Sequence, residues 1–256
     1  MFESIVKAFV NTPVYPHWLE HRKMRQGNDV VIQKIKGNIV EVGAGDGSRK
    51  QAIMAAHTKI KSYTATDYSS WDDEFEKLGE ANGVLGKLSR TFMGRHERAK
   101  FDVVCSATKL PFKEDKFDFH ISFEVLEHIN DPFAYFSEAA RVVKSKGYVI
   151  FSVPFLYREH KMDFFRYTGG FFEMVADNNG MKLENKYSNT GYGTTMAVLT
   201  NQWIVRRVME GPIVLRPFLL LLSPFIFIIM NVLGLLIDMK PDVRFANRYH
   251  IIMRKK

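Results

Sequence analysis

The sequence predicts an α/β fold in which a parallel sheet is covered by helices on both faces. Three observations carry this. Short apolar runs of strand length alternate with stretches of helical character; a glycine-rich EVGAGDG (41–47) stands between the first predicted strand and the first predicted helix; and an acidic residue, Asp67, ends the next strand. With 256 residues and 46% hydrophobic content, the chain can bury one full core. A single domain with an elaboration follows. The expected organisation is N-terminal helices over 1–36, a ligand-binding core over 37–192, an apolar helical insert over 193–245 and a final strand of the core over 246–256.

In chain order, residues 1–36 mix apolar and polar positions at helical spacing, with Pro13 and Pro16 dividing them into short leading helices. NIVEVGAG then reads as a buried strand, RKQAIMAAH as a helix and SYTATDY as a second strand. Residues 72–100 are charged and weakly periodic and read as a helix with a variable loop. FDVVCSA, FDFHISF and YVIFSVP are three further strands. Between the last two, DPFAYFSEAARVVKSKG reads as a helix that starts near Asp131 and stops at Gly147. GGFFEMVADNNGMKLENKYS reads as one more helix and strand, and RYHIIMRKK as the last strand.

Composition narrows the function classes without choosing among them. The single cysteine, Cys105, excludes an internal disulfide, and its apolar strand marks it as core packing. The first twenty residues lack the uninterrupted apolar run of a secretory signal, so a cytoplasmic address is expected. The formal charge of +8 suits nucleic acid, an anionic membrane surface or an acidic substrate.

The glycine loop is the first feature with chemical content. Between a strand and a helix, backbone N–H groups and the helix N-terminus can approach a ligand closely, and glycines remove the Cβ atoms that would block the approach. The spacing is GxGxG with Ser48 next, not the GxGxxG of a dinucleotide site, which favours a ligand without a pyrophosphate. Asp67 stands where a carboxylate accepts hydrogen bonds from ribose hydroxyls.

With these residues in hand, a family resemblance is plain. EVGAGDG resembles the first motif of class I S-adenosylmethionine-dependent methyltransferases, and TATDYS their second-strand acidic motif. SATKLPFKEDKFDFHISFEVLEHINDP is similar to the third- and fourth-strand region of the group that includes ubiquinone methyltransferases. The likeness covers about 39–168 with the motifs in family order. It implies a Rossmann-like seven-stranded sheet whose last strand is antiparallel, S-adenosyl-L-methionine as cofactor, and methyl transfer as the reaction. It also implies that Glu41, Gly43, Ala44 and Gly45 surround the methionine part of the cofactor, Asp67 the ribose and Tyr68 the adenine. By the same resemblance Ser106 and Ala107 meet the adenine edge, while Phe123 and Glu124 close the site. The family usually carries aspartate where Ser106 stands, and a hydroxyl is the weaker acceptor.

A sulfonium methyl is already activated, so the protein must align a nucleophile and, for a hydroxyl acceptor, remove a proton. His128 after the fourth strand and His160 after the fifth are the candidate bases. The run HKMDFFRYT resembles a stretch in sugar- and envelope-associated members, which makes Asp163, Arg166 and Tyr167 acceptor-site candidates. Glu124, Glu127, His128 and His160 also resemble the divalent-ion set of small-RNA 2′-O-methyltransferases; the competing reading is ordinary cofactor-loop sequence, with no metal.

The segment 213–237, IVLRPFLLLLSPFIFIIMNVLGLLI, holds one charged residue in twenty-five. It has the count of a membrane span, about 20 residues. A return of the final strand to the same sheet would require both ends on one side, and Ser223 with Pro224 divides the run into halves of about 11 and 13 residues, too short to cross. A hairpin dipping into one leaflet is expected, flanked by Arg206, Arg207, Arg216, Lys240, Arg244 and Arg248, on the inner face of the membrane. The alternative is burial within the domain or in a homodimer. Membrane docking favours a small or lipid-linked acceptor: an envelope sugar, a glycolipid or a quinone precursor. Two readings compete with this enzyme: a non-catalytic cofactor-binding scaffold at the membrane, and an RNA methyltransferase, against which the scattered basic residues weigh.

Overall fold

A computed structural model describes residues 8–45, 47–56, 58–68, 101–160 and 162–256. The charged stretch 72–100 lies outside them. The chain divides into two compact units: a sheet unit of 32–153, 162–185 and 251–256, and a helical unit of 1–31, 154–161 and 186–250.

The sheet has seven strands: β1 (Gly37–Val42), β2 (Ile60–Asp67), β3 (Val103–Val104), β4 (Phe117–Phe123), β5 (Val143–Pro154), β6 (Met181–Tyr187) and β7 (Arg248–Lys255). Their order is β3-β2-β1-β4-β5-β7-β6. The pairs from β3 to β5 are parallel. Strand β7 runs the other way: Lys255 Nζ donates to the Val143 carbonyl, and the Lys256 amide donates at 3.0 Å to Gly180, just before β6 starts. The sheet is therefore mixed, as the resemblance implies. The third strand is shorter than FDVVCSA suggested, with only Val103 and Val104 in the ladder.

Helix α1 (Trp18–Ile32) precedes β1, α2 (Ser48–Ala56) follows it, and α3 (Pro132–Val142) joins β4 to β5. Asp131 caps α3 by accepting from the Ala134 amide at 3.0 Å, with Pro132 in the first turn. The expected end of α3 at Gly147 is wrong. The helix stops at Val142, and VKSKG belongs to β5, where Val143 pairs Phe117 and Tyr148 pairs Phe119 around Lys146 at φ 64°. Two adjacent β-branched residues prefer the extended chain, and pairing with β4 decided the boundary. Phe117, Ile121, Phe136, Val149 and Phe151 fill the core.

Helices α4 (Gly169–Asn178), α5 (Tyr192–Glu210) and α6 (Arg216–Ile237) complete the chain. The expected break at Ser223 and Pro224 does not occur: α6 is one helix of 22 residues. Proline removes the amide that would bond Leu220, and the Ser223 hydroxyl donates to that carbonyl instead, at 3.1 Å. Within the helical unit, Glu20 of α1 accepts from the Tyr157 hydroxyl at 2.6 Å and meets His17 at 3.0 Å. Burial would raise this carboxyl, but these bonds and Arg248 outweigh it and hold the pKa at about 2.

Candidate functional site

Strand β1 ends in a loop that requires glycine at 43. Gly43 has φ 73°, and a Cβ there would stand 2.2 Å from Val125 Cγ2. Gly45 has φ 57°, but a Cβ there would meet nothing within 4 Å among the described residues, so the chain is open to a ligand at this point. The Gly43 and Ala44 amides are spent on the Thr66 carbonyl of β2, at 2.9 and 3.0 Å. The Gly45 amide donates to Asp67 Oδ2 at 2.6 Å, and Asp67 Oδ1 accepts from the Tyr68 amide at 2.7 Å. The carboxylate thus faces the loop. Tyr68 follows with its ring 54% exposed, a face on which a purine can stack.

Glu41 lies deeper. It is fully buried, bonded to the Arg49 guanidinium and, at 2.7 Å, to the Tyr63 hydroxyl. Burial raises its pKa, opposed by Arg49 and Tyr63. Arg49 also lies over the Phe123 ring at 4.6 Å, so one guanidinium ties the first turn of α2 to the ends of β1 and β4. The sequence hid this residue, because RK at a helix start reads as a solvated face. Ser106 bonds Thr108, Oγ to Oγ1 at 2.8 Å, in a local turn beside buried Ala107. Cys105 is half-buried with its thiol pKa raised by burial, which keeps it neutral.

After β4 the chain turns sharply: Glu124 has φ 56°, uncommon for a residue with a side chain, and its carboxylate accepts from Ser152 Oγ at 2.7 Å. A single helical turn, Leu126–His128, then brings a compact polar group together. His128 Nδ1 lies 3.2 Å from the Met162 carbonyl and 3.2 Å from Asp163 Oδ1. Both neighbours are acceptors, so the proton belongs on Nδ1 and the lone pair on Nε2. Asp163 in turn accepts from Arg166 at 2.6 Å. Glu127 is buried, with Oε1 3.9 Å from His128 Nε2. Burial, with Glu124 and Asp163 nearby, pushes its carboxyl up to about 9, so it is neutral at pH 7.

His128, Asp163 and Arg166 are thus brought together from two separate segments. Tyr167 is buried, its hydroxyl donating to the Leu126 carbonyl at 3.1 Å, where it supports the turn. His160 belongs to the helical unit, is exposed and stacks on Tyr157 with centroids 5.9 Å apart. Among the described residues, no three His, Cys, Asp or Glu side chains are grouped to hold a metal ion, the set Glu124, Glu127, His128 and His160 included.

The family described as "Methyltransferase domain" matches residues 40–151. An uncharacterised methyltransferase from Mycolicibacterium vanbaalenii is 33% identical over 102 residues, which span 37% of this chain and 39% of that protein. The match therefore covers about two fifths of its length. The fold is similar to that of a candidate sarcosine dimethylglycine methyltransferase from Galdieria sulphuraria, at 14% identity and TM-score 0.51 over 94% of this chain and 85% of the other. It is also similar to that of the cyclase SpnF, at 13% identity and TM-score 0.50 over 90% and 80%. A fold shared with a cyclase leaves the chemistry to be argued from the site. Residues 40–151 thus match a methyltransferase domain, and the fold is shared with solved methyltransferases.

Proposed function

We propose that this chain transfers a methyl group from S-adenosylmethionine to a hydroxyl of a lipid-linked acceptor at a membrane surface, with His128 as general base. The open approach at Gly45 beside the Asp67 carboxylate and the exposed Tyr68 ring fits the cofactor, which supplies an activated sulfonium methyl. Gly45 takes its methionine part and Asp67 its ribose, and Ala107 and Phe123 line the apolar wall.

The observation that carries the reading is the His128 environment. The Met162 carbonyl, 3.2 Å from Nδ1, can only accept, which favours the tautomer with its proton on Nδ1 and leaves Nε2 to accept one. Asp163, itself held by Arg166 at 2.6 Å, lies 3.2 Å from the same ring nitrogen and limits how the imidazole can turn. A neutral Glu127 near Nε2 places no competing charge there. Oxygen is preferred to nitrogen because a protonated amine would need this base only before binding. The lipid-linked acceptor, an envelope sugar, glycolipid or quinone precursor, rests on the apolar α6 surface, which offers a hydrophobic docking face.

The test measures label transfer from methyl-labelled S-adenosylmethionine into an organic extract of bacterial membranes, beside cofactor binding by calorimetry. His128→Asn is expected to lower transfer by about 10²–10⁴ while binding the cofactor within twofold of wild type; Asp67→Ala is expected to lose binding. Wild-type turnover by His128→Asn would remove the base, and no cofactor binding by the wild type would remove the function.

A further inference from the structure

The helical unit holds a hairpin whose amphipathicity is inverted. In water a helix buries its apolar stripe and exposes its polar one. The inward stripe of α6 is Ser223, Phe227, Asn231 and Gly234, continued by Asp238. Only one of these five is a large apolar residue. Outward stand Phe218, Leu221, Phe225, Ile229, Val232 and Leu236, each exposed. The most apolar eighteen residues of the helix have a mean hydropathy of 2.6, yet only 22% of them are buried.

The inward stripe is held by polar bonds and close backbone approach, not by apolar packing. Asn231 accepts from Asn201 of α5 at 3.1 Å and donates to the Pro13 and Tyr15 carbonyls at 2.8 and 3.1 Å. Gly193 and Gly234 meet backbone to backbone: a Cβ on Gly193 would stand 2.7 Å from the Gly234 carbonyl oxygen, and one on Gly234 2.9 Å from that of Gly193. Asp238 accepts from the amides of Gly191, Gly193 and Thr194 at 2.8–2.9 Å, capping α5.

We infer that the outer face of α6 lies flat in one leaflet of an anionic bilayer, with its axis along the membrane plane. Lipid suits this surface better than a second copy of the chain, because at about 100° per residue the exposed side chains cover about half the circumference, wider than the seam one partner helix fills. The apolar surface continues onto the turn before α6, where Ile213 is 77% exposed, a place that soluble hairpins make polar.

The orientation follows from what the inner face touches. Spanning the bilayer would carry Asn231 with its Pro13 and Tyr15 partners, and Asn201 with its bond to the Pro16 carbonyl, into hydrocarbon together with the segment leading into α1. Lying flat leaves that side in water. Cations then meet headgroups at both ends: Arg207, stacked 5.4 Å over exposed Trp203, and Arg216 at one, and Lys240 at the other, where Arg244 is already paired with Asp242 at 2.7 Å.

This inference rests on the membrane reading above, and the experiment separates the two. Nitroxide labels at 218, 225, 229 and 236 of the full chain, bound to vesicles of phosphatidylglycerol and phosphatidylcholine, report depth from oxygen and nickel-chelate accessibility. Similar depths at all four sites are expected, with flotation reduced at least tenfold by the pair Leu221→Glu and Phe225→Glu, whose sites are exposed so that circular dichroism stays unchanged. A depth that rises or falls steadily from 218 to 236 overturns the flat orientation and leaves docking in place. Absence of flotation by the wild type overturns both, and concentration-dependent dimerisation abolished by the same pair would assign the face to a second copy.

Discussion

Strand β5 and helix α6 are both strongly apolar, and they face opposite surroundings. In β5 every residue from Val149 to Val153 is buried, with Phe151 packed against Phe136 and Phe172. In α6 the apolar residues are mostly outside and the buried positions are mostly polar or glycine. The difference teaches that an apolar run declares a dislike of water and nothing about which apolar phase will receive it. In β5 that phase is the protein core, while α6 presents its apolar side outward.

The sharpest way to break this comparison is a pair of truncations. Phe151→Ala is expected to cost about 3–5 kcal/mol, whereas Phe225→Ala, at a side chain 64% exposed, should change stability by about 0.5 kcal/mol or less in detergent. Urea unfolding measures both, and equal losses would mean that α6 is covered in the protein as β5 is.

A pH titration sharpens the sheet side. In the folded chain, burial beside Glu124 and Asp163 pushes the Glu127 carboxyl up to about 9, against an ordinary value of 4.5. Between those values the unfolded state has lost a proton that the folded state keeps, so rising pH removes stability, by up to about 1.4 kcal/mol per pH unit. Glu127→Gln should therefore raise the unfolding temperature at pH 8 and leave it unchanged at pH 4. A variant that gains equally at both pH values would remove the raised carboxyl.

The smallest expected effect lies inside α6. Ser223→Ala should cost about 1 kcal/mol, since it leaves the Leu220 carbonyl without its donor. In a Pro224→Ala background the restored amide serves that carbonyl, and the same change should cost nothing. Equal costs in both backgrounds would show that the serine does not compensate for the proline.

The chain's own order of residues determined the strand-loop-helix entry to the site, because the glycines at 43 and 45 and the acidic end of β2 are local requirements with few alternatives. It also marked His128, Asp163 and Arg166 separately. Their meeting was decided by tertiary structure: the turn Leu126–His128 and the segment at Met162 and Asp163 lie over thirty residues apart, and no local pattern states that a carbonyl and a carboxylate will flank one imidazole nitrogen. Arg49 stayed hidden for the same reason, since its partners are a buried strand carboxylate and a ring at the end of another strand. The end of α3 was misread because helical periodicity continues past Val142 while β4 pairing captures the residues beyond it. In the insert, proline carried the wrong message, because a neighbouring hydroxyl filled the bond it removed. Local sterics and backbone demands are written residue by residue, whereas which surfaces meet depends on the whole chain's burial and pairing, and that is what folding decided here.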